Sequence, residues 1–287
     1  MPLETFVEIR RWKGLRRQVQ RGSHSPLFPG KISITEPPVP PVEEVLEQFR
    51  AVLSQSCLTN GPRVAELERQ AASYLGTREC VAVSSGTAGL MLVLRALGLR
   101  GEVIVPSFTF CATAHSLLWN GLQPVFVDCD PQTFCLEPEQ VERAITSRTS
   151  AVLGVHVFGC PAPVKALQEI TRRHGLPLLY DGAHAFGSWA GATKVAAWGD
   201  ATVFSLSPTK PLVAGEGGLI ATNDDALAGR LRQARNYGKG DSNECHLLGL
   251  NARLTELQAV LALAGLPGVE RAGCAAETSW RNATSAS

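Results

Sequence analysis

"CVAVSSGTAGLMLVLRAL", residues 80–97, holds the unit from which the rest of the chain is built. Its first five residues are small or β-branched and apolar. Ser85-Gly86-Thr87 then breaks the run, and Leu90, Val93, Leu94 and Leu97 follow at spacings of three, four and seven. An extended segment that passes through a glycine turn into an amphipathic helix is one half of a β-α-β repeat. The same grammar recurs downstream. "EVIVP" (102–106), "PVFVD" (124–128), "AVLGVHV" (151–157), "LPLLYD" (176–181), "ATVFS" (201–205) and "GGLIAT" (217–222) read as buried strands. Between two of them Val164, Leu167 and Ile170 share one helix face. Arg172, Arg173 and His174 close that helix before Gly175, where cations suit the negative end of the helix dipole. Apolar strands alternating with helices predict an α/β fold of three layers. A mostly parallel, seven-stranded sheet is covered on both faces, and ligands bind beyond the carboxyl ends of its strands.

Upstream of residue 80 the pattern predicts helices from Val42 to about Leu53 and from Pro62 to Leu75, with Gly76 as a stop. Residues 1–41 form a basic arm with six cationic side chains between Arg10 and Arg21, followed by the stiff linker "EPPVPP" (36–41). The large domain covers 42–266 and ends in an amphipathic helix over 250–266. Residues 267–287 are small, polar and aperiodic and read as a disordered tail.

Composition narrows the function. A 287-residue chain that is 45% hydrophobic, 18% charged and +1 in net charge is globular, with no global attraction to nucleic acid. No apolar run has the length of a membrane span, and the N-terminus lacks the apolar core of a signal peptide. The eight cysteines form no C-x-x-C pair, so no metal site is expected, and a reduced cytoplasmic setting follows.

Three strand ends carry chemistry. Gly86 and Thr87 open a helix whose free amides make a cradle for phosphate, although Ser-Gly-Thr serves equally as a plain cap. Asp181 ends an apolar run, where a carboxylate needs a cationic or hydrogen-bonding partner, and it too reads otherwise as a turn cap. His184 beside it reads alone as a loop or core histidine. Lys210 sits in "SLSPTKPLVAGEGG" (205–218), between Pro208 and Pro211 and ahead of Gly215, Gly217 and Gly218. Such a frame holds a lysine rigid and partly dry, which lowers its pKa and makes it a nucleophile toward aldehydes. A structural lysine in a tight loop is the alternative. Together a phosphate cradle, a carboxylate and a fixed amine match the three handles of pyridoxal 5′-phosphate (PLP).

From about Leu58 to Leu266 the chain resembles the DegT/StrS-type nucleotide-sugar aminotransferase family, within the fold-type I, aspartate aminotransferase-like PLP enzymes. The matching segments are "LTNGPRVAELE" (58–68), "SSGTAGL" (84–90), "EVIVPSFTFCATA" (102–114), "PVFVDCDPQTF" (124–134), "VHVFG" (155–159), "YDGAHAFG" (180–187), "SPTKPLVAGEGG" (207–218) and "GLNARLTELQA" (249–259). The resemblance implies that Lys210 forms the internal Schiff base and then shuttles a proton. It implies that Asp181 pairs with the pyridine nitrogen, that Phe110 covers the ring face, and that Gly86, Thr87 and Ser205 hold the phosphate. His184 would lie near the ring hydroxyl, and Asn251 and Arg253 would reach the site of the partner subunit in a homodimer. The implied reaction moves an amino group from an amino-acid donor, glutamate, to a nucleotide-linked keto sugar, a 4-keto-6-deoxy sugar on the likeness of "YDGAHAFG" and "SLLWNGLQP" (116–124). Family members continue into a smaller C-terminal domain that residues 267–287 do not resemble, so the expected chain lacks that domain. A PLP-binding or inactive remnant is the second reading, and another PLP reaction such as β-elimination the third.

Overall fold

The computed structural model describes residues 37–240 and 244–269. Seven strands form one sheet: β1 (Glu79–Val83), β2 (Glu102–Pro106), β3 (Gln123–Val127), β4 (Thr149–Val155), β5 (Leu178–Asp181), β8 (Ala201–Ser205) and β9 (Gly218–Thr222). A two-stranded hairpin, β6 (Trp189–Ala190) and β7 (Thr193–Lys194), stands apart from it. The order across the large sheet is β1-β9-β8-β5-β4-β2-β3. β2–β3, β2–β4, β4–β5 and β5–β8 pair in parallel, whereas β9 runs antiparallel to both its neighbours.

Most strands of the sheet bury both faces by alternation; β3, expected from "PVFVD" to be buried, is the end strand of the sheet and leaves Gln123 and Phe126 exposed. Val81 and Val83 of β1 pack with α3 (Gly86–Ala96) and α7 (Asp225–Ala234), while Cys80 and Ala82 face α2 (Pro62–Leu75). Period-two burial on both sides is what continuous apolar strands require. On the far side of the sheet α6 (Val164–His174) lays Val164, Leu167 and Ile170 against β4 and β5. It stops at Gly175 (φ 63°), as its basic last turn predicts. α1 (Val42–Gln55), α4 (Cys111–Trp119) and α5 (Pro138–Ala144) complete the outer layers.

The helix expected over 250–266 is corrected at its start: α8 spans 256–269. Thr255 and Gln258 form a capping box, the Thr255 hydroxyl accepting Gln258 N–H at 3.2 Å and Gln258 Oε1 accepting Thr255 N–H at 3.1 Å. Residues 250–255 are not helical, and two of them form isolated antiparallel bridges, Asn251 with Asn236 and Thr255 with Thr59. Most of the expected basic arm (1–36) and of the expected tail (270–287) lies outside the described residues, and 267–269 continue α8. Among the described residues no helix is long and apolar enough to cross a membrane, and no cluster of three or more His, Cys, Asp or Glu side chains could hold a metal ion. The seven described cysteines are all free thiols.

One long-range contact ties α8 to α2. The buried Glu256 carboxylate accepts the backbone N–H groups of Gly61 (2.9 Å), Arg63 (2.8 Å) and Val64 (3.0 Å) at the start of α2. Negative charge there complements the helix dipole and satisfies amides that have no partner inside the helix. Glu256→Ala leaves them buried and unpaired. Urea unfolding is expected to show a loss of about 3 kcal/mol, most of it recovered by Glu256→Gln.

Candidate active site

All the strand ends singled out in the sequence lie along one edge of the sheet. β9 enters where β1 and β8 leave, with Gly218 registered opposite both Val83 and Ser205. A side chain on Gly218 would meet the Gly86 nitrogen and the Ser85 carbonyl carbon, each at 2.7 Å. The glycine run after Lys210 therefore lets the sheet approach the first turn of α3. There the Ser85 hydroxyl accepts Ala88 N–H at 3.0 Å, so Ser85 is a true N-cap. The amides of Gly86 and Thr87 have no hydrogen-bond partner among the described residues and stay available. Gly86 also abuts Ser205, whose Cβ lies 3.2 Å from where a side chain on Gly86 would begin. Gly86, Thr87 and Ser205, separated by more than a hundred residues of sequence, thus share one corner.

Asp181 closes β5 and is only 6% exposed. The partner that its burial demands comes from α4: Thr113 Oγ1 donates to Asp181 Oδ2 at 2.6 Å, and Ala183 N–H donates to Oδ1 at 3.0 Å. Lys210 is half-buried, and its side chain has no hydrogen bond or ion pair among the described residues. Burial holds its amine below the usual lysine range, and the Asp181 carboxylate pulls it back up. His184 is lowered first by burial and then by the Lys210 cation, with Asp181 opposing. Asp181 and His184 line one cavity, and the charge of Asp181 acts on both His184 and Lys210.

Beside them opens a cavity of about 240 Å³ lined by Phe108, Phe110, Val155, Phe158, Asp181, Ala183 and His184. Phe110 is 74% exposed, a free aromatic face at the N-cap of α4. The Phe158 ring stacks on His184 at 5.7 Å, and Phe108 sits 5.1 Å from Phe134 and 6.3 Å from Phe158. Phe134 and Phe158 both have left-handed backbones (φ 58° and 51°), a conformation a bulky residue keeps only where its surroundings impose it. Apart from Phe110, this aromatic wall escaped the sequence reading, as did Thr113 and Ala183, although "SFTF", "CATA", "VHVFG" and "DGAHA" carry most of these residues. Asn251 is not brought to this cavity by any contact. It is exposed, and its Oδ1 accepts from Arg253 Nε at 3.2 Å.

The match to known proteins is decided at the level of the whole domain. The family model of the DegT/DnrJ/EryC1/StrS aminotransferases matches residues 41–280. The chain belongs to this family. A dTDP-4-amino-4,6-dideoxy-D-glucose transaminase of Shigella dysenteriae is 36% identical over 233 residues, which are 81% of this chain and 64% of that protein. Among solved structures, DesI in the presence of its TDP-sugar product superposes with a TM-score of 0.81 at 40% identity, covering 85% of this chain and 62% of that one. NtdA from Bacillus subtilis with bound cofactor PMP gives a TM-score of 0.73 at 33% identity, covering 78% and 52%. The chain thus spans less than two thirds of the length of these family members.

His156, next to the cavity, gives the domain a measurable acid sensitivity. Its ring is buried and stacked on Tyr180 at 4.5 Å. Its Nδ1 accepts Ala162 N–H at 3.0 Å, and its Nε2 has no hydrogen-bond partner among the described residues. Burial lowers its pKa from 6.5 to about 3. The unfolded chain therefore binds a proton below pH 6.5 that the folded chain refuses until about pH 3, and stability falls as pH drops through that window. Between pH 8 and pH 5 wild type should lose about 2 kcal/mol in urea unfolding that His156→Asn, which can still accept Ala162 N–H, does not lose.

Proposed function

We propose that the site holds PLP and transfers an amino group from glutamate to a nucleotide-linked keto sugar. The observation that carries the reading is the meeting of Lys210, Asp181 and His184. An amine without a hydrogen-bonded partner and a buried, clamped carboxylate lie within reach of each other's charge, beside an aromatic-walled cavity. The residues fit the cofactor at each of its handles. The Gly86 and Thr87 amides with Ser205 would take the phosphate at the positive end of α3, Asp181 the ring nitrogen, and Lys210 the aldehyde. When bound, PLP supplies the electron sink that makes the bonds at an amine-bearing carbon labile.

The protein's own part is positional and acid–base. Lys210, with its lowered pKa, carries a deprotonated fraction that can bond to an aldehyde and can move a proton at Nζ. Thr113 and Ala183 each donate to one Asp181 oxygen and hold the carboxylate where it would accept from the ring nitrogen. Phe110 would cover one ring face, and His184 would sit by the ring hydroxyl. The keto-sugar acceptor is supported by relatives named as transaminases or synthases of sugars on dTDP, UDP and GDP carriers, and the 4-keto-6-deoxy class by the Shigella protein's name. A two-fold homodimer, in the cytoplasm, would let exposed Asn251 and neighbouring Arg253 complete a partner's site.

Titration with PLP followed by visible absorbance tests this. Addition of L-glutamate to the loaded protein should shift the band and release 2-oxoglutarate. A TDP-linked 4-keto-6-deoxy sugar should then return the band. A band that glutamate leaves unmoved makes the chain a cofactor holder without transfer, and the absence of any band overturns the reading.

A further inference from the structure

We propose that Thr113, backed by Thr109, is a positioning residue for Asp181. The two hydroxyls form a relay that fixes the plane of the carboxylate, so that it is held in place for the cofactor's ring nitrogen. The identity of the ligand that Asp181 serves rests on the function proposed above. The relay itself does not.

Thr113 is the third residue of α4 and is 0% exposed. Its Oγ1 donates to Asp181 Oδ2 at 2.6 Å, a length typical of an O–H group facing an ionised oxygen. Thr113 Oγ1 also lies 2.6 Å from Thr109 Oγ1. A threonine hydroxyl has a single proton, and Thr113 has committed it to the carboxylate. In its contact with Thr109 it can only accept, so Thr109 must donate. The chain of protons therefore runs Thr109 to Thr113 to Asp181, while Ala183 N–H donates to the other carboxylate oxygen at 3.0 Å. With one donor on each oxygen, the carboxylate cannot turn about its Cβ–Cγ bond without breaking a hydrogen bond.

Packing alone does not call for this hydroxyl. Valine has the shape of threonine, and a polar atom this deeply buried is unfavourable unless it is used. The placement is also economical in sequence. Thr109 and Thr113 stand four residues apart and flank Phe110, whose ring lines the cavity. One turn of chain thus carries both the aromatic wall and the clamp on the acid, so that wall and carboxylate are registered together.

The test compares Thr113→Val, Thr113→Ser and wild type, with two readouts. In the PLP-free protein, carbon-13 NMR of labelled aspartate follows the Asp181 carboxyl, identified by its loss in Asp181→Asn. At one fixed pH, Thr113→Val should move the carboxyl resonance away from its wild-type position, while Thr113→Ser leaves it there. In PLP titration, Thr113→Val should weaken binding roughly tenfold and Thr113→Ser should restore it. If Thr113→Val does not fold, Thr109→Val removes only the rear donor, with an expected shift in the same direction of roughly a third that size. An unshifted carboxyl in the valine variants, or a serine variant no better than valine, overturns the relay. A carboxyl shift in Thr113→Val, together with a wild type that binds no PLP, overturns the function proposed above and leaves the relay standing.

Discussion

Lys210→Arg should reduce amino transfer by about 10,000-fold, the largest effect expected of any single change. Arginine keeps the positive charge and much of the length, so attraction to Asp181 survives. What it lacks is a deprotonated form near neutral pH. In the wild type, burial lowers the Lys210 amine despite the neighbouring carboxylate, so a reactive fraction exists at pH values where an exposed lysine is nearly all ammonium. The loss should therefore fall on the chemical step, with the melting temperature nearly unchanged. In wild type the rate of cofactor capture should rise with pH and level off below the ordinary lysine value of 10.5. Single-turnover absorbance with glutamate measures the first effect and a pH series measures the second. If Lys210→Arg keeps activity within tenfold of wild type, another group does this chemistry.

Asp181→Asn should lower turnover by roughly 1,000-fold, in the range seen when one fixed electrostatic group is removed from a reacting centre. The amide fills the same space, and its oxygen can still accept from Ala183 N–H, while its NH2 takes the place of Oδ2 and faces the Thr113 hydroxyl, which can turn to accept from it. The β5 end is preserved and the negative charge disappears. Without it a ring nitrogen loses its protonated state, and the electron sink weakens. Because the corner at Gly86, Thr87 and Ser205, proposed above to take the phosphate, is untouched, cofactor binding should weaken far less than turnover. A variant in which affinity and rate fall in equal measure would show that Asp181 only anchors the ring.

The seven strands were readable because each is a short apolar run between turn residues, and their bounds move by no more than two residues. Gly76 and Gly175 ended α2 and α6 as expected, since only a left-handed residue lets the chain leave there. Strand direction was less accessible. β9 is as apolar as its neighbours, and nothing in its composition shows that it runs against β1 and β8. The start of α8 went astray because Leu250 and Leu254 keep a helical period while Thr255 and Gln258 set the cap. The capping box was present in "TELQ" and outranked periodicity.

In the site, the residues at strand ends could be named one by one, because a lysine among prolines or an acid after an apolar run needs a reason. Their partners could not. Thr113 meets Asp181 across 68 positions, and Ser205 meets Gly86 across the sheet. Such pairings are made by topology, and a buried threonine in a helical pattern carries no sign of its own. The aromatic wall stayed hidden for a related reason: Phe108, Phe134 and Phe158 come from three separate loops and look like ordinary core residues until the fold gathers them.

The most direct measurement is to load the protein with PLP, reduce it with borohydride, digest it and locate the pyridoxyl label by mass spectrometry. The account predicts one label per chain, on the peptide carrying Lys210 and lost in Lys210→Arg. Label spread over Lys194, Lys239 and other lysines, with Lys210 no more modified than they are, would contradict it.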